Sequence, residues 1–270
     1  MFAPKDRPQV IVPVRLDESS PICFQCSQDL SCYTRCCREA HIILTPGDII
    51  RLKRRLKLSS EEFLFVYTGL GTIENTELPV PVLKMRYDST KSCPFLVKEG
   101  CDIYEDRPLT CRYYPIASGT FHNLDESEDE RFFALVKEPH CLGHDLGDEM
   151  TVGQWLDNQG IREIEAANKG WTEIILRRKS LGPFITLQEK TKQMFFMGCY
   201  NVDGFRRFVL ESKFLDIYEI PPERVEFIKE DDYAALDLAI DWMLLTFFGD
   251  PVIKLKERTA EGEMIEAEPE

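Results

Sequence analysis

The sequence predicts an α+β fold, in which a cysteine-rich metal-binding domain of short strands and helices precedes a mainly helical C-terminal half. The chain has 270 residues and is 43% hydrophobic, enough for one sizeable domain or for a small domain and a helical one. Nine of its ten cysteines fall between positions 23 and 141, and helical patterns dominate from Thr151 onward. We therefore expect a cysteine-cluster domain over residues 1–150, a helical region over 151–254 and a charged, disordered tail over 255–270.

Three segments of the first half have the composition of strands. Residues 9–16 contain a proline, which cannot donate to a sheet ladder, so this segment is expected at an edge. Residues 79–87 and 132–138 are the other two predicted strands. An acidic loop over 125–130 is expected to be a solvated connection.

Two helices are predicted between residues 44 and 69. Thr45 is a suitable N-cap, and Pro46 fits the first helical position. Ser59 and Glu62 have the spacing of a capping box for a second helix, which Gly69 is expected to end. The basic run RLKRRLK, residues 51–57, is interpreted as the solvated face of the first helix; the alternative is a docking patch for an acidic partner or nucleic acid.

The second half has the spacing of amphipathic helices. Thr151 and Gln154 form a further capping box. Residues 185–200, 201–214 and 231–248 are three more helical candidates.

Charge and composition narrow the functional classes. The formal net charge is −14, so electrostatic repulsion disfavours general binding to nucleic acid or anionic lipid. No apolar run approaches the ~20 residues of a membrane span, and no secretory signal pattern is visible. We expect a cytoplasmic protein, in which thiols stay reduced and clustered cysteines indicate metal more than disulfides.

The clustered cysteines are the candidate metal ligands. Soft thiolates at short spacing suit zinc or iron–sulfur clusters, each of which takes about four thiolates. Nine thiols could fill two such sites with one left over, or one site with several spare. The candidates are Cys23, Cys26, Cys32, Cys36, Cys37, Cys93, Cys101, Cys111 and Cys141. The tenth, Cys199, is expected to be a small buried apolar residue.

The adjacent pair Cys36–Cys37 raises a separate question. Neighbouring side chains point to opposite faces of a strand and about 100° apart on a helix, so the two sulfurs do not easily grip one ion unless a turn brings them together. Our hypothesis is that each sulfur faces a different centre, which would join two centres through one peptide bond. A vicinal redox disulfide is the alternative.

Cationic and imidazole side chains accompany the second cysteine group. Arg107 and Arg112 are the candidate cofactor-binding residues, because cations near thiolates lower thiol pKa values and offset the charge of the site. The alternative for each is an ordinary salt bridge or loop anchor. His140 and His144 flank Cys141, and either could replace a cysteine as a zinc ligand.

With these motifs in hand, the sequence resembles the YkgJ-like cysteine-cluster family over roughly residues 20–160. The resemblance rests on Cys23-x-x-Cys26 ahead of Cys36–Cys37, on LTPGDIIRLKRRL, on CPFL at Cys93, and on GCDIYEDRPLTCRYYP. It implies a zinc- or iron-chelating domain, often an iron–sulfur protein, and a relationship to flagellin lysine N-methylases. One departure is that Cys32 is an additional cysteine, so either Cys26 or Cys32 could be the family's second ligand.

Three functions are compatible with these observations. The first is a metal-binding protein with an iron–sulfur cluster, most simply 4Fe-4S, in a redox, sensing or cofactor-delivery role. The second is an enzyme similar to the protein-lysine methylases, although no GxGxxG, P-loop or GxSxG motif is present. The third is a structural zinc module that binds an unidentified protein partner.

Overall fold

A computed structural model of the chain describes residues 10–11, 14–121, 130–182 and 185–256. The predicted acidic loop lies almost wholly outside the described residues, as does nearly all of the predicted charged tail. The α+β prediction is confirmed, since short antiparallel strand pairs accompany the cysteine-rich region and helices dominate the C-terminal half.

The helices, including short ones, are α1 Pro46–Leu56, α2 Ser60–Tyr67, α3 Leu109–Tyr113, α4 Val152–Asn158, α5 Ile161–Ala167, α6 Lys169–Ser180, α7 Glu189–Tyr200, α8 Val202–Glu211, α9 Phe214–Ile217, α10 Pro222–Glu230 and α11 Asp232–Met243. Single 3-10 turns occupy Arg35–Cys37 and Tyr104–Asp106, and a π-helical turn at Leu244–Phe248 continues α11.

The strands are β1 Val10–Ile11, β2 Pro21–Phe24, β3 Thr68–Thr72, β4 Pro79–Leu83, β5 Leu96–Val97, β6 Gly100–Cys101, β7 Ile116–Phe121, β8 Glu130–Lys137, β9 His144–Thr151, β10 Tyr218–Glu219 and β11 Lys254–Leu255. Every pairing is antiparallel. β1, β8 and β7 form a three-stranded sheet with β1 at an edge, as predicted, and the other pairs are β2–β9, β3–β4, β5–β6 and β10–β11.

The predicted caps are present. The side chain of Thr45 accepts a hydrogen bond from the backbone amide of Asp48, while the Asp48 carboxylate accepts one from the amide of Thr45. The same reciprocal arrangement links Ser59 with Glu62 and Thr151 with Gln154. α2 ends at Tyr67, before Gly69, because the chain turns there into strand β3.

Two hydrophobic cores hold the chain together. The larger one contains Phe63 of α2, Ile49 of α1 and residues of the C-terminal helices such as Phe205 and Trp242. The helical half therefore packs on the cysteine-rich half, as expected. The smaller core contains Ile22, Phe24, Ile116, Phe133, Val152, Trp155, Leu156 and Ile161.

The basic run of α1 is not a fully solvated face. Lys53 is buried and forms ion pairs with Asp203 at 2.8 Å and Asp232 at 3.0 Å, and Arg206 also contacts both carboxylates. The interpretation of this run as solvated is therefore wrong at Lys53. Its charge links α1 to α8 and α11, so the helix that leads toward the cysteine region is tied to the helical half.

None of the described helices is both long and apolar enough to cross a membrane.

Candidate metal centre

A 3-10 turn brings the vicinal cysteines to the same side of the chain. Thr34, ahead of the turn, has a left-handed backbone with φ 66°. The sulfurs of Cys36 and Cys37 lie 3.9 Å apart, and all ten cysteines are free thiols. With metal–sulfur bonds of about 2.3 Å, two ligands of one tetrahedral zinc stand about 3.8 Å apart. The 3-10 turn therefore brings two neighbouring sulfurs to a separation at which they could bind one ion, which strand or helix geometry would not allow.

Backbone pairing joins the first cysteine group to the second. The amide of Cys93 donates to the carbonyl of Cys37 at 2.7 Å, and the amide of Glu39 donates to the carbonyl of Lys91 at 2.8 Å. Between these two bonds, Arg38 and Ser92 form an isolated bridge. Segments more than fifty residues apart in the sequence are therefore fixed side by side.

The remaining cysteines of the second group sit on short, rigid elements. Cys101 ends the β5–β6 hairpin and is paired with Leu96. The preceding Gly100 has φ +130°, and a Cβ at that position would collide with the Tyr33 hydroxyl, so glycine is required there. Cys111 lies on α3.

Four thiols form what we call the first thiol group: Cys36, Cys93, Cys101 and Cys111. Burial, with smaller contributions from the thiols of Cys101 and Cys36, raises the pKa of Cys93 to about 11 against an opposing backbone hydrogen bond. Burial also raises the pKa of Cys111, followed by the neighbouring thiols of Cys93, Cys36 and Cys101. Cys111 is an exposed residue, although its thiol is surrounded by protein atoms. The raised pKa values of Cys93, Cys101 and Cys111 thus each include a contribution from the thiol of Cys36.

The second thiol group consists of Cys26, Cys32 and Cys141, with Cys36 shared. Burial raises the pKa of Cys26 to about 11, and the thiols of Cys36, Cys32 and Cys141 add to that increase. The backbone amide of Leu142 donates to the sulfur of Cys32 at 3.3 Å, which joins the two ends of this group. Cys36 is thus the thiol common to both groups, and Cys37 lies beside it.

The donor chemistry fits zinc or an iron–sulfur centre, because thiolates are the preferred ligands of both. Within the described part of the chain, no set of three or more His, Cys, Asp or Glu side chains is arranged to hold a metal ion. The pKa of Cys36 is raised by its hydrogen bond with Cys37 and then by burial, so this thiol holds its proton at neutral pH. Metal binding must therefore displace protons.

Two cysteines stand apart from the thiol groups. Cys23 lies in β2 opposite Glu149, and strand alternation turns it away from the side of Ile22 and Phe24, which enter the smaller core. Cys199 is 2% exposed within the larger core, which confirms its interpretation as a buried apolar residue.

Arg107 and Arg112, the two predicted cofactor-binding residues, donate hydrogen bonds to backbone carbonyls. Arg112 donates to the carbonyls of Arg107 at 3.0 Å and Gln159 at 2.8 Å, and also to Glu105. Arg107 donates to the carbonyl of Tyr104 at 2.7 Å and stacks over its ring. These contacts are those of loop anchors. Arg107 is nevertheless close enough to oppose the rise in the pKa of Cys101 that burial causes.

The two histidines beside Cys141 have different surroundings. The Nε2 atom of His140 lies 3.4 Å from the buried carboxylate of Glu138. Both ring nitrogens of His144 are buried and have no hydrogen-bond partner among the described residues. Burial lowers the pKa of His144, so its imidazole stays neutral, as a metal ligand must be.

Thiols gathered on short turns make this region a candidate metal-chelating cysteine cluster. Residues 25–141 match the CxxCxxCC family, described as "Putative zinc- or iron-chelating domain". This match confirms the resemblance to a cysteine-cluster family over that range, and the family model describes a zinc- or iron-chelating domain. It begins after Cys23 and ends at Cys141, so it encloses eight cysteines, namely all members of both thiol groups and Cys37. No curated protein and no solved structure matches the chain significantly.

Proposed function

We propose that the chain is an iron–sulfur protein whose first thiol group holds a 4Fe-4S cluster. The observation that carries this proposal is the mutual influence of the thiols of Cys36, Cys93, Cys101 and Cys111, which come from three separate segments. A 4Fe-4S cluster takes four thiolates, and this group supplies that number. The backbone bond between Cys93 and Cys37 keeps two of the three segments aligned.

The second thiol group supports a second centre. The thiols of Cys32 and Cys141 both contribute to the raised pKa of Cys26, the amide of Leu142 beside Cys141 donates to the sulfur of Cys32, and Cys37 is available as a fourth thiol beside Cys36. In this arrangement, one peptide bond between Cys36 and Cys37 links the two centres. Eight cysteines within the matched domain supply two sets of four.

The proposed role is redox transfer, sensing or cofactor delivery. Such a cluster supplies one-electron chemistry when bound. The protein would leave such a centre partly accessible to solvent and to a partner. Cys26, Cys36 and Cys111 are exposed residues, while the other thiols of the two groups are half-buried. Ten free cysteines also support a reducing compartment such as the cytoplasm.

A zinc centre is the second candidate, and one distance favours it. The 3.9 Å between the sulfurs of Cys36 and Cys37 agrees with two ligands of a single tetrahedral ion. In a 4Fe-4S cluster each cysteine thiolate binds a different iron, so the cysteine sulfurs lie further apart than those of two ligands on one ion. A zinc domain of this kind would hold loops in place for a protein partner.

Anaerobic purification followed by metal analysis and an absorption spectrum separates the two candidates. The iron–sulfur proposal predicts a brown protein with broad absorption near ~400 nm that dithionite bleaches. A colourless protein with one or two zinc ions per chain would overturn it in favour of the zinc module.

A further inference from the structure

A cavity of about 370 Å³ opens beside the vicinal cysteines. Arg35 and Arg38, which flank Cys36–Cys37 in the sequence, form one part of its lining. Glu138, Pro139 and His140, which directly precede Cys141, form another part. The cavity therefore lies between the two ends of the matched domain, next to cysteines of the proposed metal centres. Its volume is in the range of pockets that hold small organic molecules.

Two arginines and two glutamates line this cavity, and each glutamate lies against another nitrogen-bearing side chain. Glu39 is paired with Lys91 at 3.2 Å, and Glu138 lies 3.4 Å from the imidazole of His140. The guanidinium groups of Arg35 and Arg38 have neither an ion pair nor a hydrogen bond with any residue that the structure describes. Other described arginines, such as Arg51, Arg206 and Arg224, do have carboxylate partners. The cavity therefore presents two guanidinium groups that have no carboxylate partner among the described residues.

The backbone positions both arginines in advance. Arg35 begins the 3-10 turn, and its amide donates to the carbonyl of Cys32 at 2.9 Å. Arg38 follows the turn and is bridged to Ser92 by the pairing that also joins Cys37 to Cys93. Little backbone entropy is therefore lost when a ligand binds here.

We propose that this cavity binds a small organic anion through a carboxylate or phosphate group held by Arg35 and Arg38. Guanidinium groups are always charged, and their planar donors match both kinds of oxyanion. Pro139 offers an apolar wall for the carbon part of the ligand. The placement of this ligand next to a metal centre rests on the proposed function, whereas the anion site itself does not.

The competing explanation is that both arginines only offset the negative charge of metal-bound thiolates. In that case their removal would weaken metal binding, and no external anion would be needed. Metal content and anion affinity must therefore be measured on the same variants.

The test is calorimetric titration of the metal-loaded protein with inorganic phosphate and, separately, with succinate. We expect one of the two probes to bind, and Arg35→Gln and Arg38→Gln each to weaken it by about tenfold, with metal content unchanged. Lys190→Gln, on the exposed surface of α7, removes the same charge and should leave the affinity unchanged.

Three results would overturn the proposal: no binding of either probe, equal binding by both arginine variants and the parent protein, or loss of metal together with anion binding. Finding zinc in place of iron would refute the iron–sulfur assignment and leave the anion site standing. A response to phosphate alone, or to succinate alone, identifies which oxyanion the cavity accepts.

Discussion

The buried carboxylate of Asp48 accepts a hydrogen bond from the backbone amide of Leu109 at 3.0 Å. This bond joins the first turn of α1 to the first residue of α3, the helix that carries Cys111. The same carboxylate also contacts Arg51 at 2.5 Å and caps α1 through Thr45. One side chain therefore fixes a predicted metal ligand to the most regular part of the cysteine-rich half.

Substitution Asp48→Ala should destabilise the protein by about 3 kcal/mol, because it leaves Arg51 and two backbone amides without their buried partner. It should also lower metal occupancy, since α3 loses its anchor. Urea denaturation and metal analysis measure the two effects. Asp216→Ala, at an exposed position of α9, is the control and should change stability by less than about 0.5 kcal/mol. Full stability and full metal in Asp48→Ala would refute the anchoring role.

The local elements of this fold could be predicted from the sequence where short-range hydrogen bonding decides them. The N-cap at Thr45 and the capping boxes at Ser59 and Thr151 were of this kind, because a side chain and an amide three residues away suffice. Strand β2 could not be predicted, because Pro21–Phe24 pairs with β9, more than a hundred residues later. The sequence of α10 has no clear apolar stripe, and this helix packs against α11.

The same distinction between local and long-range interactions applies to the candidate site. The spacing of the cysteines was enough to identify them as candidate metal ligands. The influence of Cys36 on thiols of both groups could not be predicted, because it depends on long-range pairing of residues 37–39 with 91–93. The role of Asp48 was hidden for the same reason, since its position near a helix start already explained an acidic residue. Arg35 and Arg38 gave no signal in the sequence beyond being two charges beside a cysteine pair.

Substitution Lys53→Met should cost about 3 kcal/mol at neutral pH, because Asp203 and Asp232 lose a buried cation. Burial alone would raise the pKa of Asp203, but hydrogen bonds from Lys53 and Ser60 outweigh burial and hold it below its usual value. A carboxyl with a lowered pKa stabilises the fold above its unfolded pKa of about 3.9, and that contribution disappears as the pH falls.

The difference between Lys53→Met and the parent protein should therefore shrink as the pH falls below about 4. Urea denaturation at neutral and acidic pH provides the measurement, with Lys190→Met as the exposed control. A difference that stays constant across this range would show that Asp203 does not depend on Lys53.

Cys93→Ser and Cys141→Ser should each remove only part of the bound metal, because these residues belong to different thiol groups. The double variant should remove nearly all of it. Metal content per chain is the readout, and Cys199→Ser, in the apolar core, should keep full occupancy. Complete loss in either single variant would argue for one shared centre. The same assay on Cys23→Ser tests the predicted ligand that precedes the matched range.

Metal affinity should fall steeply as the pH is lowered. The pKa values of Cys26 and Cys93 are raised to about 11, so both thiols carry protons at neutral pH and must release them to bind metal. For each proton released, the affinity should drop by about tenfold per pH unit. Competition for Zn²⁺ against a chromophoric chelator at several pH values measures this slope, with the chelator alone as control. An affinity independent of pH would mean that the thiols are already ionised.

The most direct test of the account is the iron and sulfide content of the anaerobically purified protein, compared between the parent chain and Cys36→Ser. Cys36 is a proposed ligand of the first centre, its thiol also influences Cys26 of the second group, and one peptide bond joins it to Cys37, so its loss should disturb the bound centres more than the loss of any other cysteine. The account predicts iron with matching sulfide in the parent chain and a marked loss of both in Cys36→Ser, while Cys199→Ser keeps both. A parent chain without iron, or a Cys36→Ser variant that retains all of it, would contradict the central claim.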